Sequence, residues 1–292
     1  MKSLLLTAAF CLSFFASTAQ SSAKFGKNIE SSFSSDYSEL SDGAPALIII
    51  DQGDVDLEIR GANLVLEKSR LLRIKVLNED GLDRRFFKLR FMHKDGFQDY
   101  GSIKAATYNY DGKKVSQTKL SKKAMITTKE NDEWSSLEFE LPEVEVGSII
   151  EVEYVLSQVN DITISDWYFE QDIPTAFSSF NVTLPQGFNY DTVLAGQRTL
   201  ADQSVSRTKI NVQGLESIPG SRFLWEMKNI PAMDFSAAED QTNRAHLDFS
   251  LKYVNGANEF VKFYRKSAKD NQIEFKENMF AGQVSSSGHC GN

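Results

Sequence analysis

Cysteine is nearly missing from this chain: its 292 residues hold two, Cys11 and Cys290, together with three histidines and six prolines. Cys11 lies in an N-terminal apolar run, so a chain that sheds that run keeps one thiol and cannot form an internal disulfide. Stability then rests on a hydrophobic core, which about 270 residues can supply in one or two domains. An excess of positive charge is also missing. Lys and Arg number 32 against 40 Asp and Glu, for a net charge of −8. A phosphate backbone needs a clustered basic surface, so this balance argues against nucleic acid as a partner. The acidic residues are spread along the chain, which reads as solubility and not as a tail for a cationic partner. Beyond the N-terminal run no stretch is apolar enough to cross a bilayer.

What is present begins with that run. Lys2 precedes an apolar stretch from Leu4 to Ala16, and Ser17-Thr18-Ala19 supplies the small residues a signal peptidase prefers. The stretch is too short for a spanning helix, and Cys11 lacks the small residues expected just before a lipidated cysteine. Residues 1–19 are therefore expected to be a cleaved signal peptide, with Gln20 as the new N-terminus. The protein is then exported, to the periplasm, the cell surface or the medium. Residues 20–43, rich in Ser, Asp and Glu, read as a flexible lead-in.

From Ala44 the pattern turns β. Val55, Leu57 and Ile59 alternate with Asp56, Glu58 and Arg60 after an Asp51-Gln52-Gly53 turn. Leu72, Ile74 and Val76 point inward and Arg73 and Lys75 outward, up to a turn at Asn78-Glu79-Asp80-Gly81. Phe87, Leu89 and Phe91 oppose Lys88 and Arg90, and Asp111-Gly112 is a strong hairpin signal. Leu137, Phe139 and Leu141 alternate with Glu138 and Glu140, and Ile150, Val152 and Tyr154 with Glu151 and Glu153. Further strands are expected at 164–171, 177–184, 208–212, 223–228 and 247–253. Phe is unusually common at 21 residues, as suits a core of large rings. Many strands at hairpin spacing without intervening helices predict an all-β fold, an antiparallel β-sandwich of one or two packed subdomains over residues 44–254. Helical spacing of Ala257, Phe260, Val261, Tyr264 and Ala268 predicts a helical segment or linker within 255–283, followed by a disordered tail at 284–292.

The residues that could carry chemistry each have a plainer reading. Acidic pairs recur two residues apart: Asp54/Asp56, Glu138/Glu140, Glu143/Glu145 and Glu151/Glu153. Such pairs could act as acid and base or hold a cation, yet a strand with one solvated face produces the same spacing. The stretches beginning at Asp51 and Asn78 fail the count of a calcium loop, with Ala62 and Leu89 at the twelfth position. His93 and His246 read as structural or exposed, and the His289-Cys290 pair sits in a tail with no scaffold. Trp134, Trp167 and Trp225 are candidates for a glycan or peptide surface, though strand tryptophans mostly fill cores. No residue is assigned a catalytic, cofactor-binding or metal-binding role, and no cofactor is expected.

With those residues laid out, the chain resembles a family of exported bacterial proteins whose β-rich N-terminal domain of unknown function precedes a transglutaminase-like domain. The resemblance is carried in order by Leu77–Gly81, Ala106–Lys113, Leu141–Tyr154, Trp167–Pro174 and Trp225–Ala232. It spans about Ala46 to Tyr253. The resemblance implies a papain-like core with Cys, His and Asp further along, and nothing after Cys290 supplies the His or Asp. The expected function is a non-catalytic exported module that binds or scaffolds, associated with transglutaminase-like enzymes, with an unidentified protein, peptide or glycan as partner. The alternatives are the N-terminal part of a transglutaminase-like protease or transferase, and a carbohydrate-binding module.

Overall fold

The structure, a computed structural model, describes residues 22–60, 63–159, 163–185, 189–210, 217–236 and 244–252. The expected signal peptide, the helical segment at 255–283 and the tail at 284–292 lie outside the described residues.

Fourteen strands are described: β1 Ala46–Arg60, β2 Asn63–Val76, β3 Phe86–Met92, β4 Gln98–Tyr110, β5 Val115–Lys119, β6 Ile126–Lys129, β7 Trp134–Glu140, β8 Ile149–Val159, β9 Trp167–Tyr168, β10 Thr175–Pro185, β11 Asn189–Ala195, β12 Asp202–Ile210, β13 Ile218–Ile230 and β14 His246–Lys252. Eight of them form one large sheet in the order β12-β13-β10-β1-β2-β8-β4-β5. Two three-stranded sheets, β11-β14-β9 and β3-β7-β6, complete the all-β fold. Pairing is antiparallel throughout except between β1 and β10, which run parallel. The expected antiparallel sandwich is thus present, with one parallel seam at its centre.

Side-chain alternation decides where each small sheet lies. On one face of the large sheet, Val55, Leu57, Phe180, Val182, Phe223 and Trp225 pack with Leu247 and Phe249 of β14. Farther along that face, Ala46, Ile48, Ile74, Ile150 and Val152 pack with Phe139 of β7 and with Phe87 and Leu89 of β3. The two small sheets therefore sit side by side on a shared face. Between their cores lies Asp51, fully buried, which takes two 2.7 Å hydrogen bonds from the Arg70 guanidinium. Arg70 in turn lies 5.2 Å from the Trp167 ring centroid.

Asp51-Gln52-Gly53, expected as a turn, runs inside β1 instead. A shift of register between Ile48 and Ile50 bends the strand there. Gly53 is required for a reason other than turning: a Cβ at this position would come 2.4 Å from the Trp167 ring. That ring is held on its far side by stacking on Phe180 at 5.1 Å, while its Nε1 donates to Ser178 Oγ. The Asn78 turn does form, its side chain accepting from Asp80 N, and Asp111 accepts from the amides of Lys113 and Lys114 to close the β4–β5 hairpin.

Residues 20–43 hold the largest departure from expectation. Their described part is ordered, with α1 at Ile29–Ser34 and α2 at Ser38–Ser41. Phe25, Ile29, Phe33, Tyr37 and Leu40 cover Leu47, Ile49, Ala106, Tyr108 and Ile149 on the opposite face of the large sheet. A third core results, and the face it covers is not solvated.

Gly53→Ala is expected to cost about 1–3 kcal/mol by overpacking against Trp167. Urea unfolding followed by tryptophan fluorescence checks this, and a midpoint equal to wild type would contradict it.

Candidate functional site

The lead-in is fastened to the sheet by charge as well as by apolar contact. Arg73 on β2 and Glu151 on β8 stand opposite each other in the β2–β8 register and are 2% and 0% exposed. Glu151 Oε1 accepts from Arg73 Nε and Nη2 at 3.0 and 2.6 Å, and its Oε2 accepts from Gly26 N at 2.7 Å and Tyr108 Oη at 3.2 Å. Arg73 also donates to the Lys27 carbonyl at 2.8 Å and to Ser32 Oγ at 3.0 Å. Burial, then the Glu151 charge, pushes the Tyr108 hydroxyl well above its ordinary pKa, so it stays a donor. A buried ion pair is tolerable when its remaining donors and acceptors are satisfied, and here the lead-in satisfies them.

This overturns two expectations. Glu151 is not on a wet face, and Arg73 does not point to solvent. The alternation is right, but the face it was assigned to solvent lies under residues 22–43. Glu153, farther along β8, is partly exposed and pairs with Lys104.

Where the lead-in meets the ends of β10 and β13 it leaves a groove of about 780 Å³. Ile49, Ile50, Ala176 and Phe177 form its apolar walls, with Tyr37 and the Asn28 and Ser31 side chains along the lead-in. Lys24, Lys27 and Lys228 stand on it, and Asp and Glu are absent from the described residues lining it. Lys228 Nζ lies 5.8 Å from the Phe177 ring centroid, the two residues being opposite in the β10–β13 register. A second groove of about 1010 Å³ runs past Arg85, Phe86, Lys88 and Ile126. Its cations are matched within it, Lys88 by Glu138 and Arg85 by Glu140, and Glu143 adds a third carboxylate. Of the two, the first groove is the one whose described lining carries cations and no carboxylate.

Beside the first groove the same sheet face becomes polar. Gln52 ties Ser22 and Ala23 of the lead-in to Asp54, and Asp54 accepts from Arg222 at 2.7 Å. Burial raises the Asp54 carboxyl, with Arg222 opposing the shift. Burial also raises Asp56, and the neighbouring Asp54 charge adds to it, while a Thr183 hydrogen bond opposes it.

The other candidates scatter. Glu138 and Glu140 are solvated and Glu143 and Glu145 are exposed. His93 Nδ1 lies 3.0 Å from Ser135 Oγ and His246 Nδ1 lies 2.8 Å from the Arg244 carbonyl. Neither histidine lines either groove. His289 and Cys290 lie outside the described residues. Trp225 is core, Trp167 is packed against Gly53 and Phe180, and Trp134 lies under Arg90, so the three do not meet in one patch. Among the described residues no group of three or more His, Cys, Asp or Glu could hold a metal ion, and no helix is long and apolar enough to cross a membrane. The groove itself was not foreseen. A signal for the docked lead-in that borders it existed in the helical spacing of Phe25, Ile29, Phe33, Tyr37 and Leu40, an apolar pattern that calls for a partner face.

Residues 67–234 match a family described as a domain of unknown function with a solved structure, DUF3857. Among solved structures, the chain is similar to one described as a "putative protease" from Parabacteroides distasonis, with 14% identity and a TM-score of 0.55. The similarity covers 72% of this chain and 40% of that protein, so the chain spans well under half of its neighbour's length. No curated protein matches.

Two outcomes test the electrostatics. Glu151→Gln strands the Arg73 charge and is expected to destabilise the fold by about 3–5 kcal/mol, with trypsin cutting sooner after Lys24 and Lys27. An unchanged unfolding midpoint would contradict this. A raised carboxyl binds its proton more tightly in the folded state, so stability falls as pH climbs from 3.8 through the raised value. Asp56→Asn is therefore expected to be more stable than wild type at pH 7 and to lose that advantage below about pH 3, read from unfolding curves across pH.

Proposed function

The chain belongs to the DUF3857 family, and from that premise we propose that it is an exported, non-catalytic module that binds or scaffolds for a transglutaminase-like enzyme in the periplasm or at the cell surface. The observation that carries this reading is the way its interior charges are used. Three of the four buried carboxylates among the described residues are engaged, Asp51 by Arg70, Glu151 by Arg73, Gly26 and Tyr108, and Glu170 by Arg198 and the amide of Ala245, while the fourth, Glu226, is raised by burial. Carboxylates engaged in this way hold the fold and have no free partner for proton transfer. The open feature is a groove of a size that suits a ligand. Fold-level likeness to a protein described as a protease is weak warrant for activity, and the module reading asks for none.

A second reading is favoured by one number. The similarity covers 40% of the neighbouring protein, which fits the N-terminal part of a longer transglutaminase-like protease or transferase. The DNA beyond Asn292 separates the two, since an in-frame Cys, His and Asp core supports the second. The carbohydrate-binding reading loses its aromatic platform once Trp225 is in the core and Trp167 is pinned by its neighbours.

The purified chain is expected to release no product from casein or from peptidoglycan-derived peptides, and to co-purify with a transglutaminase-like domain supplied in trans. Turnover that disappears on substitution of Asp54 or Asp56 would sink the module reading.

A further inference from the structure

The groove between the lead-in and strands β10 and β13 has a composition that selects its ligand. The chain as a whole is acidic, with a net charge of −8, yet here the sign reverses. Lys24, Lys27 and Lys228 share one concavity, and no Asp or Glu is among the described residues that line it. Among the described residues none of the three lysines is in an ion pair, whereas Lys88, Lys94, Lys104 and Lys129 elsewhere on the molecule each have a carboxylate. The nearest acid on β13, Glu226, precedes Lys228 by two residues; burial raises its carboxyl, and the Lys228 charge opposes that shift without forming an ion pair with it. Arg73 also lines the groove but is neutralised by Glu151. The uncompensated charge therefore belongs to the ammonium groups of Lys24 and Lys27, with Lys228 beside them only partly offset by Glu226.

Size and walls narrow the choice. A bare anion would fill a small part of about 780 Å³ and leave Ile49, Ile50, Phe177 and Tyr37 against water. A ligand that uses the whole concavity carries negative charge on a body with apolar side chains. We propose that this groove binds an acidic peptide segment, its carboxylates facing Lys24, Lys27 and Lys228 and an adjoining apolar side chain lying against Phe177, Ile49 and Ile50. The proposal rests on the module reading above and names the partner chemistry that the module takes. Because Lys24 and Lys27 come from the lead-in and Lys228 from β13, the site exists only while the lead-in is docked. The Arg73–Glu151 pair then acts as a positioning element for it.

The test is titration of the purified chain with a fluorescein-labelled peptide, Leu-Glu-Glu-Phe capped at both ends, read by anisotropy. Its Leu-Gln-Gln-Phe counterpart and inorganic phosphate are run as competitors. The acidic peptide is expected to bind about tenfold or more tightly than the Gln peptide, and to weaken as NaCl rises from about 50 to about 500 mM. The triple variant K24Q/K27Q/K228Q is expected to lose at least about tenfold in affinity with an unchanged unfolding midpoint, since its side chains lie on the surface. Equal binding of the acidic and Gln peptides, or wild-type affinity in the folded triple variant, would overturn the proposal. Displacement by phosphate at the concentration that suffices for the acidic peptide would overturn the peptide assignment in favour of a simple anion site. Mass spectrometry of the peptide after incubation separates this outcome from that of the module reading. Cleaved peptide sinks the non-catalytic reading alone, whereas intact but unbound peptide with persisting co-purification sinks the groove alone.

Discussion

The ion pair between Arg73 and Glu151 is the constraint around which one side of this molecule is organised. Each side chain comes from a central strand of the large sheet, and each would be expensive to bury alone. Together they still leave donors and acceptors over, and the backbone of Gly26 and Lys27 with the Ser32 hydroxyl takes them up. The pair therefore does more than join β2 to β8. It creates a polar demand on the sheet face that only a folded lead-in can meet, and so it fixes where residues 22–43 go. Apolar contact supplies the attraction for that docking, and the buried charges supply its register.

A similar arrangement recurs on the other face. Asp51 and Arg70 lie between two apolar clusters, one under β14 and one under β7 and β3. A fully buried carboxylate in β1, a guanidinium partly open to solvent and the Trp167 ring make a polar seam where two cores would otherwise merge. Gly53 belongs to the same seam, because only a residue without a side chain lets the indole lie on the strand. Each face of the large sheet thus carries one fully buried carboxylate paired with an arginine, Asp51 on one and Glu151 on the other, and each lies where the sheet meets another packed unit.

Much of this fold was legible in the sequence, and the failures share a cause. Strands such as β3 and β7 declared themselves by alternation because one face is wet. The β4–β5 hairpin declared itself through Asp111-Gly112, whose chemistry is local. Asp51-Gln52-Gly53 misled because an acid and a glycine signal a turn whenever their partners are out of view, and here the partners are Arg70 and Trp167. Glu151 misled for the same reason: its cation lies 78 residues away and its cover farther still. The parallel β1–β10 seam has no local signature at all. The groove needs Lys24 and Lys228 together, which no spacing rule can bring into one place.

That parallel seam bears on how the chain reaches its folded state. β1 pairs with β2 across a short connection, but its other edge waits for β10, more than a hundred residues later: Ile48 stands beside Thr175. Until the chain has folded as far as β10, a long apolar-sided strand at the heart of the sheet exposes its unpaired edge, the geometry most prone to pairing with a stranger. The three strands beyond it, β10, β13 and β12, join the sheet through that one parallel pairing. Slow, non-local closure at the centre of the sheet makes the strand that anchors the finished protein the one most in need of protection while it is being made.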